Sequence, residues 1–296
     1  MKMMSGICCI LLWGLASAWE AGAANVSGNG MAPDFWERDT ELECLQDSYP
    51  GVITAVESDA QGRTWLVIRG HARVLFEGDG RNIAPLCCAV PGVRATFAQP
   101  YPLEPERPPT PDGTHPGRAR SYPLLHALYG ADRAAVGAQL TNISLLGRRI
   151  RFSSSAGAGQ ALRRVAAALR LLVERRPELA AYVLPAGGFN WRLVQGESHL
   201  SPHSFGIAID LNPRMGPYWR WTRLRRHPLQ DSYPTEIVRI FEDNGFVWGG
   251  KWREYDIMHF EYRPEILCKA RKQRERMTRQ RDNGDAPTSP SPHSAR

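Results

Sequence analysis

The chain has 296 residues, 43% of them hydrophobic and 23% charged, with a formal net charge of +7. This is an ordinary globular balance; it excludes a chain disordered throughout and supplies core material for one large domain or two modest ones. The positive charge permits association with polyanions without identifying one, because charge bears on association rather than on fold.

At the N-terminus, Lys2 precedes the apolar run GICCILLWGLASA, which has signal-peptide length and is short for a membrane span. Two small-residue cleavage patterns follow, Ala16-Ser17-Ala18 and Ala21-Gly22-Ala23. Residues 1–24 are therefore expected to be a signal peptide and the mature protein to be secreted or periplasmic, with no second apolar run able to span a bilayer. Cys8 and Cys9 leave with that segment. Cys44, Cys87, Cys88 and Cys268 remain, an even number in an oxidising compartment, so two disulfides are expected. A bond between adjacent Cys87 and Cys88 would be strained. Cys44 and Cys268 are therefore each expected to pair with one of them.

Residues 25–40 are polar and read as a loop. GVITAVE, TWLVIRG and ARVLF, between Tyr49 and Phe76, read as strands of a small antiparallel sheet divided by turn residues. The proline-dense stretch 98–120 reads as a connector or wrapping loop. Short helices are predicted over 122–129 and 131–139, and a strand over 147–152. GQALRRVAAALRLLVERRPELAAYV carries the clearest helical period, through Leu162, Val165, Ala166, Leu169, Leu172 and Val173. A second amphipathic helix is predicted over 234–243, started by Pro234 and ended by Asn244-Gly245. Strands are predicted at 207–211, 246–248 and 257–262. From Lys269 the chain is basic, then rich in Ser and Pro, and is expected to be a disordered tail able to touch an anionic surface.

Of eight histidines, two sit in strand-like settings beside carboxylates. In SPHSFGIAID, His203 and Asp210 would face opposite sides of a flat strand, and Gly206 can reset that register. Beyond it, Ile207, Ile209 and Leu211 share an apolar face, leaving Ala208 and Asp210 on the other. In EYDIMHFEYRPE, His259 and Glu261 share a face, with Asp256 at the strand mouth. Two imidazoles and a carboxylate suit Zn²⁺ and leave a fourth position open. Asp256 would then be the additional carboxylate that a hydrolytic site uses as general base.

SPHSFGIAID resembles the Ser-x-His-x-x-Gly-x-Ala-x-Asp motif of the D-alanyl-D-alanine carboxypeptidase family of zinc peptidases, the VanY-like group. YDIMHFEYRPE resembles the family's second motif, Asp/Glu-x-x-His. GGFNWRLV, YWRW and FVWGGKW extend the resemblance, which covers roughly residues 95–268. It implies an α+β fold of the LAS type, a central antiparallel sheet with flanking helices, over residues 98–268, after a β-rich segment over 25–97. It implies one Zn²⁺ held by His203, Asp210 and His259, with Asp256 as the catalytic acid/base. Arg192 matches the arginine that holds substrate or the developing oxyanion, and Ser201 the motif serine that lines the groove. Trp248 is expected at the substrate groove, and burial beside Trp248 or Phe260 is expected to raise the Asp256 pKa. Glu261 is expected to orient a ligand histidine, or else to pair with Arg263 or another arginine.

The segment 212–230 holds five arginines with Tyr218, Trp219 and Trp221 and reads as a groove-edge loop. Aromatics interleaved with arginine also occur where single strands bind, but nucleic acid is not the expected partner. The expected substrate is a peptidoglycan stem peptide, cleaved first at D-Ala-D-Ala. An L-alanyl-D-glutamate endopeptidase, a non-catalytic zinc-stabilised wall-binding module and a polyanion-binding protein are the alternatives.

Overall fold

The structure is a computed structural model that describes residues 33–70, 72–77 and 92–284. The expected signal peptide, Cys87, Cys88 and residues 285–296 lie outside the described residues. The chain opens with helix α1 (Pro33–Ser48), where the polar composition of 25–40 predicts a loop. The buried face of α1 explains the difference. Thr40, Glu41, Cys44 and Leu45 follow helical spacing, but two of the four are polar, so the apolar stripe is incomplete in the sequence. Glu41 is tolerated in that face because it pairs with Lys269 and, at 3.1 Å, with Arg94.

Strands β1 (Ile53–Ser58), β2 (Thr64–Ile68) and β3 (Ala72–Glu77) form the expected antiparallel meander. The proline-rich stretch then wraps the core. Tyr101 donates to Glu242 at 2.8 Å, and buried Lys251 reaches Glu242, Glu104 and the Pro102 carbonyl. Helices α2 (Tyr122–Tyr129) and α3 (Arg133–Ala138) follow. Asp132 caps α3 by accepting from two backbone amides at 2.8 Å.

The predicted strand at 147–152 is β5 (Arg148–Ser153), and it pairs with β4 (Leu140–Leu145). Along β4, Ile143 and Leu145 are buried while Asn142 and Ser144 are exposed, a period-two pattern. Helix α4 (Ala158–Arg175) buries Ala161, Leu162, Val165 and Leu169. It stops short of the predicted span because Pro177 lacks an amide hydrogen and starts a separate 3-10 turn.

A three-stranded antiparallel sheet carries the motifs, in the order β6 (Ala208–Asp210), β8 (His259–Tyr262), β7 (Phe246–Trp248). Residues 186–190 join it to the β4–β5 hairpin. Asp210 N donates to Gly187 O at 2.8 Å, and Phe189 N donates to Arg151 O at 3.0 Å. The fold is thus α+β, as expected, with its central sheet built from short strands. Helix α5 (Leu229–Ser232) is one turn, and α6 (Thr235–Asp243) presents Ile237, Val238 and Phe241 to the core.

Helix α7 (Pro264–Gly284) replaces the disordered tail expected from Lys269. Ile266, Leu267 and Ala270 bury its first turns against α1. Beyond them it lacks an apolar stripe, but Arg, Lys, Gln, Glu and Met are strong helix formers. The Arg276 guanidinium also lies 4.1 Å from the Trp36 ring centroid, and Lys272 pairs with Glu43 at 2.5 Å. The α1–α7 contact corrects the disulfide expectation as well. Cys44 bonds Cys268, their Cα atoms 5.5 Å apart, and neither pairs with Cys87 or Cys88.

Candidate metal centre and active-site groove

His203 stands on a 3-10 turn (Pro202–Phe205) rather than on a strand. Ser201 begins this turn, its Oγ accepting from His203 N at 3.4 Å. Gly206 ends it at φ +66°, in the left-handed region that favours glycine. A Cβ there would stand 3.0 Å from Ser153 N and 2.7 Å from a Leu140 methyl. Gly206 thus turns the chain from the His203 turn into β6, which is the register reset expected from the sequence.

Asp210 ends β6 directly opposite His259 on β8. Three atoms converge: His203 Nε2 is 3.1 Å from Asp210 Oδ1, His259 Nδ1 is 3.0 Å from that same oxygen, and the two nitrogens are 3.3 Å apart. The far nitrogen of the His203 ring is hydrogen-bonded, while that of His259 is buried without a hydrogen-bond partner among the described residues. His203 Nδ1 is 2.6 Å from Gly188 O; a carbonyl can only accept, so Nδ1 carries the proton and Nε2 presents its lone pair to the cluster. His259 Nε2 points to Glu261 Oε2 at 3.8 Å. Glu261 is buried and gripped by Arg120 at 2.6 and 2.9 Å, with Arg263 at 3.8 Å. Both roles weighed for Glu261 are therefore compatible with its placement.

The electrostatics favour a cation here. Burial would raise the Asp210 carboxyl, yet His203 and His259 hold it far below the usual carboxylate range. Burial would lower the His259 imidazole, but Asp210 and Glu261 outweigh that and push it up to about 9. The cluster attracts positive charge, and two imidazole nitrogens with one carboxylate oxygen can hold a metal ion. That donor set suits zinc and leaves a coordination position open.

Asp256 precedes β8. Its amide donates to Gly249 O at 3.0 Å and its carbonyl accepts from His259 N at 3.1 Å. Its side chain borders the groove, and Oδ1 is enclosed with no hydrogen-bond partner among the described residues. Burial pushes the carboxyl up to about 6, against the lowering effect of His259 and with help from Asp210. The rise matches expectation, but the neighbours differ. A Cβ on Gly249 would lie 3.2 Å from Asp256 Cβ and 3.0 Å from the Trp252 ring. Trp252 also faces the His259 ring at 5.7 Å.

Trp248 does not line the groove. It is fully buried, its Nε1 donates to Ile257 O at 2.8 Å, and its ring packs on Tyr233 and Phe260. In FVWGGKW the groove tryptophan is Trp252, because the glycine pair turns the chain between the two indoles. Arg192 is exposed on the groove, with Nη1 donating to Leu193 O at 3.3 Å, and Ser201 lines it too.

Sequence reasoning missed Arg118 and Arg120, which also border the groove. Arg118 meets Glu254 at 3.1 Å and Glu197 at 3.5 Å, tying together two loops that flank the site. Neither arginine has a sequence signal, because their partners are 79 to 141 residues away in the chain (197 − 118 and 261 − 120).

The fold and the site together define a class: an α+β domain whose His–Asp–His cradle and adjacent carboxyl border a groove of about 630 Å³, the equipment of a metal-dependent hydrolase. Residues 195–262, which hold both motifs, match the family model described as D-alanyl-D-alanine carboxypeptidase. The resemblance to the VanY-like peptidases is borne out over that segment. No curated protein and no solved structure matches the chain. Among the described residues no helix is long and apolar enough to cross a membrane.

Proposed function

We propose that the protein is a zinc-dependent peptidase that hydrolyses peptidoglycan stem peptides in the periplasm or outside the cell, releasing the terminal D-Ala of D-Ala-D-Ala. The observation that carries this reading is the convergence of His203 Nε2, Asp210 Oδ1 and His259 Nδ1 beside a carboxyl whose pKa is raised to about 6.

Zinc, when bound by these three residues, supplies an acidified water and polarises the scissile carbonyl. The Asp256 carboxylate takes the proton of the attacking water. Burial raises the Asp256 carboxyl above an ordinary aspartate, near 3.9, so that it holds that proton better and hands it on to the leaving amine. Arg192, exposed on the groove, would receive the substrate's terminal carboxylate through a two-pronged hydrogen bond. Gly188 O fixes the His203 tautomer, and Glu261 stands behind His259.

The test is digestion of a stem pentapeptide by zinc-loaded protein, with products read by mass spectrometry. Loss of one D-Ala is expected. Cleavage after L-Ala would reassign the enzyme as an endopeptidase, and no cleavage would remove the peptidase reading in favour of a wall-binding module. Asp256→Asn should lower kcat by about 10²–10⁴-fold with bound zinc retained. Loss of zinc instead would make Asp256 a ligand.

A further inference from the structure

One end of the groove has a chemistry unlike the ligand cluster. Of the large apolar side chains exposed among the described residues, two line the groove: Trp221, 61% exposed, and Leu193, 52% exposed. They stand on two loops that touch each other. The Arg220 guanidinium lies 2.9 Å from where a Cβ on Gly196 would sit. The Trp221 turn is fixed in place: Trp221 N donates to Tyr218 O at 2.9 Å, and the Tyr218 ring meets the indole edge-on at 5.9 Å. Tyr218 in turn pairs through its backbone with Asp256, and Trp219 N donates to Tyr255 O at 2.9 Å. An indole exposed to water, on a turn anchored to the Asp256 segment, does not serve the core. Gln195, next to Gly196, lines the same groove and adds an amide group.

A flat apolar plane rimmed by hydrogen-bonding groups matches one ligand chemistry closely. A pyranose ring offers a face of C–H bonds and a perimeter of hydroxyl and acetamido groups. An aliphatic peptide side chain is instead bound by a concave pocket that encloses it. We infer that this end of the groove is a saccharide subsite, in which Trp221 stacks on the C–H face of an amino sugar while Gln195 meets its polar edge. The inference rests on the proposed wall-peptide substrate, since in that polymer the stem peptide is attached to an amino sugar. It makes the glycan-attached peptide, rather than the free peptide, the preferred substrate.

Two ligands test this by calorimetry, using zinc-loaded Asp256→Asn protein so that neither is consumed: the stem pentapeptide alone, and the same peptide bearing its N-acetylglucosaminyl-N-acetylmuramoyl disaccharide. The disaccharide form should bind about ten-fold more tightly, the scale of one aromatic stacking contact. Adding Trp221→Ala should bring the ratio of the two affinities to near one, and Trp221→Phe should restore part of it. Equal affinities with Trp221 intact, or a ratio that survives Trp221→Ala, would overturn the subsite and leave the peptidase reading standing. Binding of neither ligand would overturn both.

Discussion

Asp256 illustrates a residue whose usefulness and whose cost to folding share one origin. Its carboxyl is raised to about 6 by burial, so the folded protein binds this proton more tightly than the unfolded chain does. Stability from this group is complete below about pH 3.8 and declines as pH rises through about 6. Metal-free Asp256→Asn should therefore be more stable than wild type at pH 7–8, by on the order of 1–3 kcal/mol, with the difference vanishing near pH 4. Urea titrations at the two pH values check the sign, and equal differences at both would refute it. Glu261 makes a contrasting case. Burial would raise it, but Arg120 holds it far below the usual carboxylate range. Glu261→Gln should weaken zinc binding by about 10–100-fold through the lost support behind His259. It should also destabilise the fold, by about 3–5 kcal/mol, because the buried Arg120–Glu261 pair is broken. Metal competition with a chelator separates the first effect from the second.

Among the elements, legibility followed the chemistry of the buried face. Helix α6 and strand β7 were legible because their core sides are apolar at regular spacing, whereas α1 hid behind Thr40 and Glu41. The distal half of α7 hid because its partners are charges and one aromatic, Trp36, far away in sequence. The ligand set was legible because each motif places its residues within a few positions of a strand end. Of the groove walls, the loop carrying Tyr218 and Trp221 was legible, but Arg118 and Arg120 were not, since they arrive from a distant segment, and in FVWGGKW the indole that borders the groove is separated from the core indole by Gly249, Gly250 and Lys251 alone. Helices α1 and α7 are also where the disulfide acts. Replacing Cys44 and Cys268 together by Ser should cost about 2–5 kcal/mol, because their bond closes most of the chain into one loop. The Glu41–Lys269 pair and the buried apolar residues remain, so the oxidised and Ser forms should share one circular dichroism spectrum at low temperature while differing in Tm.

At the scale of the whole molecule, ion pairing leaves the net charge of +7 unchanged but occupies several of the cations on α7. Lys272 pairs with Glu43, Arg274 with Glu106 and Arg279 with Glu275. These are exposed pairs of small individual worth, but they lower the density of free cations that a polyanion would need. Retention on an anionic matrix should accordingly be weak and lost at moderate salt. Strong retention at physiological ionic strength would favour the polyanion reading instead.

The Cys44–Cys268 bond has one more consequence. Every residue assigned to the metal cradle, the acid/base and the sugar-facing plane lies between those two cysteines. A protease that nicks the exposed part of the proline-rich stretch, around Pro111–Gly113, would therefore cut the polypeptide without releasing a piece of it. The nicked protein should migrate as one band without reductant and as two with it, and it should keep its metal while the bond is intact. The disulfide thus gives the protein tolerance to a broken backbone.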